Sequence, residues 1–196
     1  MKKINLSLAI IIGLAIAFGC SRVPSPKRVV QAYQAAHNAG DVDSVMALIY
    51  PDTRADFAGM GPSLWGPDEL RGKAAYDSAL HSQYILNIQK TAADTVFLDA
   101  TESNDWTVEA GIPPFKFKSF YLVIKDGKIH YIYAELDDAS VDNFNGVMSQ
   151  LIPWASENRA ADFDKMSSEL FLFSAARAKL TLDLLKDWKA GGISQK

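Results

Sequence analysis

Phe115-Lys116-Phe117-Lys118-Ser119-Phe120-Tyr121-Leu122-Val123-Ile124-Lys125-Asp126-Gly127-Lys128-Ile129 decides the fold. Phe115 and Phe117 put apolar side chains on odd positions, whereas Phe120, Leu122 and Ile124 put them on even ones. Alternate residues of a strand face opposite sides, so this change of parity near Ser119 predicts a β-bulge that bends the strand and curls its sheet. Asp126-Gly127 is the two-residue signal of a tight hairpin, which predicts a return strand over Ile129 to Leu136.

Upstream of this hairpin the period is also 2. Tyr84, Leu86 and Ile88 alternate with Ile85, Asn87 and Gln89, Val96, Leu98 and Ala100 with Phe97, Asp99 and Thr101, and Trp106, Val108 and Ala110 with Thr107 and Glu109. Each run is expected to be an antiparallel-type strand with one covered face. Before Gln83 the period is helical. Val30, Tyr33 and Ala36, then Val42, Val45, Met46 and Ile49, predict two helices joined at Gly40-Asp41, with Gly40 as left-handed cap and Asp41 as N-cap. Pro51-Asp52 is expected to close that segment, Asp56 to Gly66 to be a loop, and Pro67 to Leu80 to be a third helix opened by Pro67-Asp68-Glu69. Three helices followed by four or five strands make an α+β domain over 28–137, a curved antiparallel sheet wrapped on N-terminal helices as a cone. The open end of such a cone is a natural pocket.

Two stretches resemble a known superfamily. Val29-Val30-Gln31-Ala32-Tyr33-Gln34-Ala35-Ala36-His37-Asn38-Ala39-Gly40-Asp41-Val42-Asp43 is similar to the opening helix of nuclear transport factor two-like proteins. Asp126-Gly127-Lys128-Ile129 resembles the turn before their last strand, and Asp68-Glu69-Leu70-Arg71-Gly72-Lys73-Ala74-Ala75 their small helix. The superfamily has a cystatin-like cone fold and includes SnoaL-like cyclases, ketosteroid isomerases and non-catalytic binding proteins. In the isomerase branch, the resemblance places Tyr33 where a Tyr donates to the substrate oxyanion. The place of the general base falls on Phe57, with Asp56 one residue away, and that of the protonated Asp falls near Ser119, so two of three roles are lost or displaced. The cyclase branch implies a His and Asp arrangement, for which His37, His81 and His130 are available; His130 shares a strand with Tyr131 and Tyr133 at opposite parity. The pocket candidates are therefore Tyr33, Trp65, Trp106, Phe120 and His130, with Tyr33, Asp56 and His130 as the candidates for catalysis. Each also has a plain structural reading: a core Tyr, packed aromatics, a solvated acid and a hydrogen-bonded His.

The beginning of the chain carries an address. Lys2-Lys3, an apolar run from Ile4 to Phe18 and Ala17-Phe18-Gly19-Cys20 resemble a bacterial lipoprotein signal peptide over 1–19, with Cys20 lipidated by acyl chains of the palmitate type. The run is shorter than the roughly 20 residues of a membrane-crossing helix. Residues 20–27, with Pro24 and Pro26, read as a lipidated tether, and Ser21 in place of Asp favours the periplasmic face of the outer membrane. Residues 138–196 read as a helical extension with apolar positions from Val141 to Ile152 and from Phe163 to Trp188, apolar all round at Leu170 to Phe173. It is expected to pack on the cone and cap its mouth; the alternative is a docking face for a second copy or an envelope protein. Gly191 to Lys196 reads as a frayed end.

Composition narrows the chemistry. A formal charge of -3 offers no broad cationic surface for nucleic acid, a single Cys makes no internal disulfide, and three scattered His do not predict a metal site. No glycine-rich phosphate loop or nucleophile-elbow serine is present, so no cofactor is expected. The reading is a lipid-anchored envelope protein whose cone binds a small apolar ligand or a partner without catalysis. The alternative is a SnoaL-like or isomerase-like enzyme acting on a hydrophobic carbonyl compound by acid–base chemistry.

Overall fold

A computed structural model describes residues 23–168 and 172–192. The expectations for the leader, for lipidated Cys20, for Leu170-Phe171 and for the last four residues lie outside them. Helices α1 (Pro26–Asn38) and α2 (Val42–Ala47) are joined as expected: Gly40 takes φ +66°, and the Asp41 side chain accepts from the Ser44 backbone N–H at 3.0 Å. Helix α1 begins within the segment read as tether.

Strand β1 (Ile49–Ala58) occupies sequence expected to be a helix end, a break and a loop. Ile49 pairs with Ile129 and Arg54 with Tyr131, so Tyr50-Pro51-Asp52-Thr53 bulge out against one residue of the partner strand. Pro51, with no N–H to donate, sits in this unpaired bulge, which is why a proline is compatible with the strand. Thr53, fully buried, donates its hydroxyl to the Ile129 carbonyl at 2.7 Å and pins the bulge down.

After β2 (Leu64–Trp65) and α3 (Gly66–Ala79) come β3 (Gln83–Ala92), β4 (Thr95–Ser103), α4 (Asp105–Ala110), β5 (Phe115–Lys125) and β6 (Lys128–Leu136). The six strands form one sheet in the order β2-β1-β6-β5-β4-β3, antiparallel except for the β1–β6 pair. The register of β5 against β6 shifts between Phe117 and Ser119, where the parity change predicted a bulge, and Asp126 and Gly127 both have positive φ in the hairpin.

The alternation at Trp106, Val108 and Ala110 is a short helix, not a strand. Asn104 accepts from the Thr107 N–H at 2.9 Å while Thr107 Oγ1 accepts from the Asn104 N–H at 3.0 Å, and Gly111 at φ +72° ends the turn. This reciprocal cap satisfies the first donors of the helix and overrides a three-residue period-2 pattern. Helices α5 (Asp138–Asn158), α6 (Ala160–Ser168) and α7 (Ala175–Gly192) follow, α5 running through Pro153.

Two apolar cores result. One fills the cone with Val29, Val30, Phe120, Leu122 and Ile129, and the other joins Leu80 and Trp106 to Leu151, Met166, Leu184 and Leu185 of the extension. The extension thus buries its apolar faces on α3 and α4 of its own chain. Among the described residues, no helix is long and apolar enough to cross a membrane.

Asn104→Ala removes the cap of α4 and a hydrogen bond to buried Glu102 (3.1 Å). It is expected to lower unfolding stability by about 1–2 kcal/mol, read as a shift of the urea midpoint with an unchanged slope.

Candidate functional site

The inward face of α1 carries Tyr33 and His37, four residues apart and therefore stacked on one side of the helix. Helix α3 offers Lys73 and Asp77 with the same spacing, β3 adds Tyr84 and β4 adds Glu102. These polar side chains meet inside the cone, and all but Lys73 are almost wholly buried. Lys73 Nζ donates to both Asp77 oxygens at 2.6 and 2.5 Å, and His37 Nε2 lies 3.4 Å from Asp77 Oδ2. The His37 ring stacks on Tyr84 with centroids 4.0 Å apart. Glu102 accepts from Ser82 Oγ at 2.7 Å and from Asn104 Nδ2 at 3.1 Å.

Burial alone drives carboxyl pKa values up and lysine values down. At this site burial acts that way, but the Lys73 ammonium beside Asp77, with His37 adding to it, holds the carboxyl below its usual range. The same pair keeps Lys73 above its ordinary value against the effect of its own burial. Burial, with Asp77 and Glu102 nearby, raises Tyr33; burial and Glu102 raise Tyr84. The interior at neutral pH is therefore an ammonium–carboxylate pair flanked by a His and two protonated phenols.

Tyr33, His37, Lys73, Asp77 and Tyr84, with Phe57 and other apolar residues, line a cavity of about 20 Å³, enough for one water molecule. Phe173, between α6 and α7, packs beside it. Its ring meets Tyr76 edge-on at 5.3 Å and Phe57 at 6.5 Å, with Lys73 Nζ 5.4 Å from the ring centre. Gly72 lets it approach: a Cβ there would stand 2.6 Å from the Phe173 carbonyl oxygen.

Of the pocket and catalytic candidates Tyr33, Asp56, Trp65, Trp106, Phe120 and His130, Tyr33 lines the cavity and the others do not. Asp56 projects from the opposite face of β1 to buried Ala55 and Phe57. There it accepts from Arg54 Nε at 2.7 Å and Tyr131 Oη at 2.6 Å; burial pushes its carboxyl up, but these hydrogen bonds leave it below the ordinary value. His130 is skipped by the β5–β6 and β1–β6 registers and stacks on Tyr50 at 4.1 Å. That bulge breaks the simple alternation, so neither His130 nor the Tyr131 and Tyr133 set faces the cone; Ile129, Ile132 and Ala134 do. Trp65 is 58% exposed under the Arg54 guanidinium, Trp106 belongs to the second core against Phe144, and Phe120 packs on Tyr84 and Phe117 away from the cavity wall. The sequence reading named His37 without a role and missed Lys73, Asp77 and Tyr84. Their signal was the i, i+4 spacing of Lys73 and Asp77 on the same helix face as Leu70 and Ala74. Among the described residues, no group of His, Cys, Asp and Glu could hold a metal ion.

No protein-family model and no curated protein matches the chain. Solved structures do. An epoxide hydrolase/cyclase-like enzyme of pyran ring formation in the polyether salinomycin superposes with a TM-score of 0.50 at 13% identity, over 58% of this chain and 92% of that one. A protein with a ketosteroid isomerase-like fold from Catenulispora acidiphila, in complex with trimethylamine, gives 0.49 at 18% identity over 60% and 91%. An NTF2-like protein of unknown function from Cytophaga hutchinsonii gives 0.47 at 10% identity over 58% and 90%. At 13% identity the likeness to the salinomycin enzyme shows the cone fold alone.

Asp77→Ala would leave a buried ammonium without its partner and is expected to cost about 3–5 kcal/mol in chemical denaturation. The folded-state pKa of Asp77 lies below the unfolded value of about 3.9. Its stabilisation is therefore present in full above that value and lost as pH falls through the folded-state pKa. The stability gap between wild type and Asp77→Asn should stay level from about pH 7 to pH 5 and narrow below about pH 4.

Proposed function

We propose that the chain is a lipid-anchored protein of the bacterial cell envelope, held through Cys20 at the periplasmic face of the outer membrane, whose cone binds a small ligand without catalysis. The observation that carries the non-catalytic part is the state of the interior. Asp77, the carboxylate that lines the cavity with Tyr33, is already tied to Lys73, and the free space is the size of one water. The three groups that would have made an acid–base site stand on opposite sides of the sheet, Tyr33 within and Asp56 and His130 without. The anchor rests on Ala17-Phe18-Gly19-Cys20 behind an apolar run too short to span a bilayer.

An enzymatic reading draws support from one fact, that His37 and Asp77 line the same cavity as Tyr33. In it Tyr33 would polarise a hydrophobic carbonyl compound and His37, rather than Asp56 or His130, would move the proton. A ketone with exchangeable α-hydrogens in deuterated buffer separates the two readings. The binding reading expects no uptake above background; uptake abolished by Tyr33→Phe and by His37→Gln would replace it with the enzyme.

For the anchor, the expected result is that the wild-type chain made in a bacterial host enters the detergent phase on cloud-point partition and Cys20→Ser moves to the aqueous phase. A Cys20→Ser variant still in the detergent phase refutes the anchor.

A further inference from the structure

Phe173 packs its ring beside the small cavity inside the cone. Its ring is received by an aromatic edge from Tyr76, a tilted ring from Phe57 and the Lys73 ammonium. An ammonium within about 6 Å of a ring centre favours an electron-rich ring. Phe57 and Lys73 also belong to the wall of the small cavity, so the ring and the cavity adjoin. Beyond them stand groups that a phenylalanine cannot use. The Tyr33 side chain lines that cavity, and so do His37 and Asp77, whose Nε2 and Oδ2 meet at a long 3.4 Å. Polar groups grouped behind an aromatic seat are a mixed environment that a purely apolar plug leaves half used.

We infer that the cone is a self-occupied site for an uncharged aromatic ligand bearing one short hydrogen-bonding group, with Phe173 as the intramolecular stand-in for its ring. This rests on the ligand-binding reading above. The ligand is uncharged because the Lys73 charge is already met by Asp77, and a further charge would be buried without a partner. It carries a phenol-like group because the hydroxyl can meet Tyr33 or the His37–Asp77 pair while the ring replaces Phe173. Its binding competes with the plug, so the affinity of the wild-type chain is reduced by the fraction of time the plug is seated.

Phenol and toluene, titrated calorimetrically into the full chain at one fixed detergent concentration, test this. Phe173→Ala is expected to bind phenol at least tenfold more tightly than wild type and severalfold more tightly than it binds toluene. Adding Tyr33→Phe should abolish the preference for phenol. A cavity left by any truncated core residue would favour toluene, so equal or stronger toluene binding overturns the inference, as does a folded Phe173→Ala that binds neither. Should Phe173→Ala fail to fold, Gly72→Ala displaces the same segment through its close contact with the Phe173 carbonyl and must show the same phenol preference or refute the proposal. Native mass spectrometry of the wild-type chain distinguishes this failure from that of the underlying reading. A bound small molecule without an aromatic ring overturns the aromatic site and leaves a ligand-binding cone standing.

Discussion

The sheet of this protein has to bend, because a flat six-stranded sheet could not close around α3, and it bends where residues are left out of the ladder. At Lys118 on β5, at Tyr50 to Thr53 on β1 and at His130 on β6 the pairing slips. Each slip exchanges which residues face inward. The concave side then presents Ile129, Ile132, Ala134, Phe120, Leu122 and Ile124 as one apolar wall. The charged groups and phenols of the interior come from α1, α3 and the strands farthest from β1.

That enclosure gives the Lys73–Asp77 pair its character. On the surface an i, i+4 lysine and aspartate would contribute a few tenths of a kcal/mol. Here both are withdrawn from water, each is held in its charged form by the other, and the loss of either leaves an unmet charge. Such a pair is better suited to specifying an arrangement than to adding stability. It holds His37 and two phenols around one small space, and the extension finishes that space by laying Phe173 over it.

The C-terminal helices are part of the same structure. Their second core reaches Leu80 at the end of α3 and Trp106 on α4, so helix α3, which lines the cone on one side, carries the extension on the other. A change in how the extension sits would therefore reach the cavity through α3 and through Phe173, a mechanical link of one helix and one side chain.

Patterns with a short range were legible in the residues alone. The parity change at Ser119, the Asp126-Gly127 hairpin and the Gly40-Asp41 joint each follow from local backbone preference, and together they imply a curved sheet on helices. Strand β1 was not legible, because its proline and aspartate are the residues that usually break structure and only pairing with β6 shows that they occupy a bulge. Helix α4 was hidden for the opposite reason: three alternating residues imitate a strand, and the cap from Asn104 and Thr107 decides otherwise. Of the interior site, the sequence marked Tyr33, since an apolar helix face carries it inward. Which acid, which base and which aromatic stand beside it was decided by tertiary structure alone, because Asp77, Lys73, Tyr84 and Phe173 come from elements distant in the chain, and inward direction on a bulged strand cannot be counted from parity.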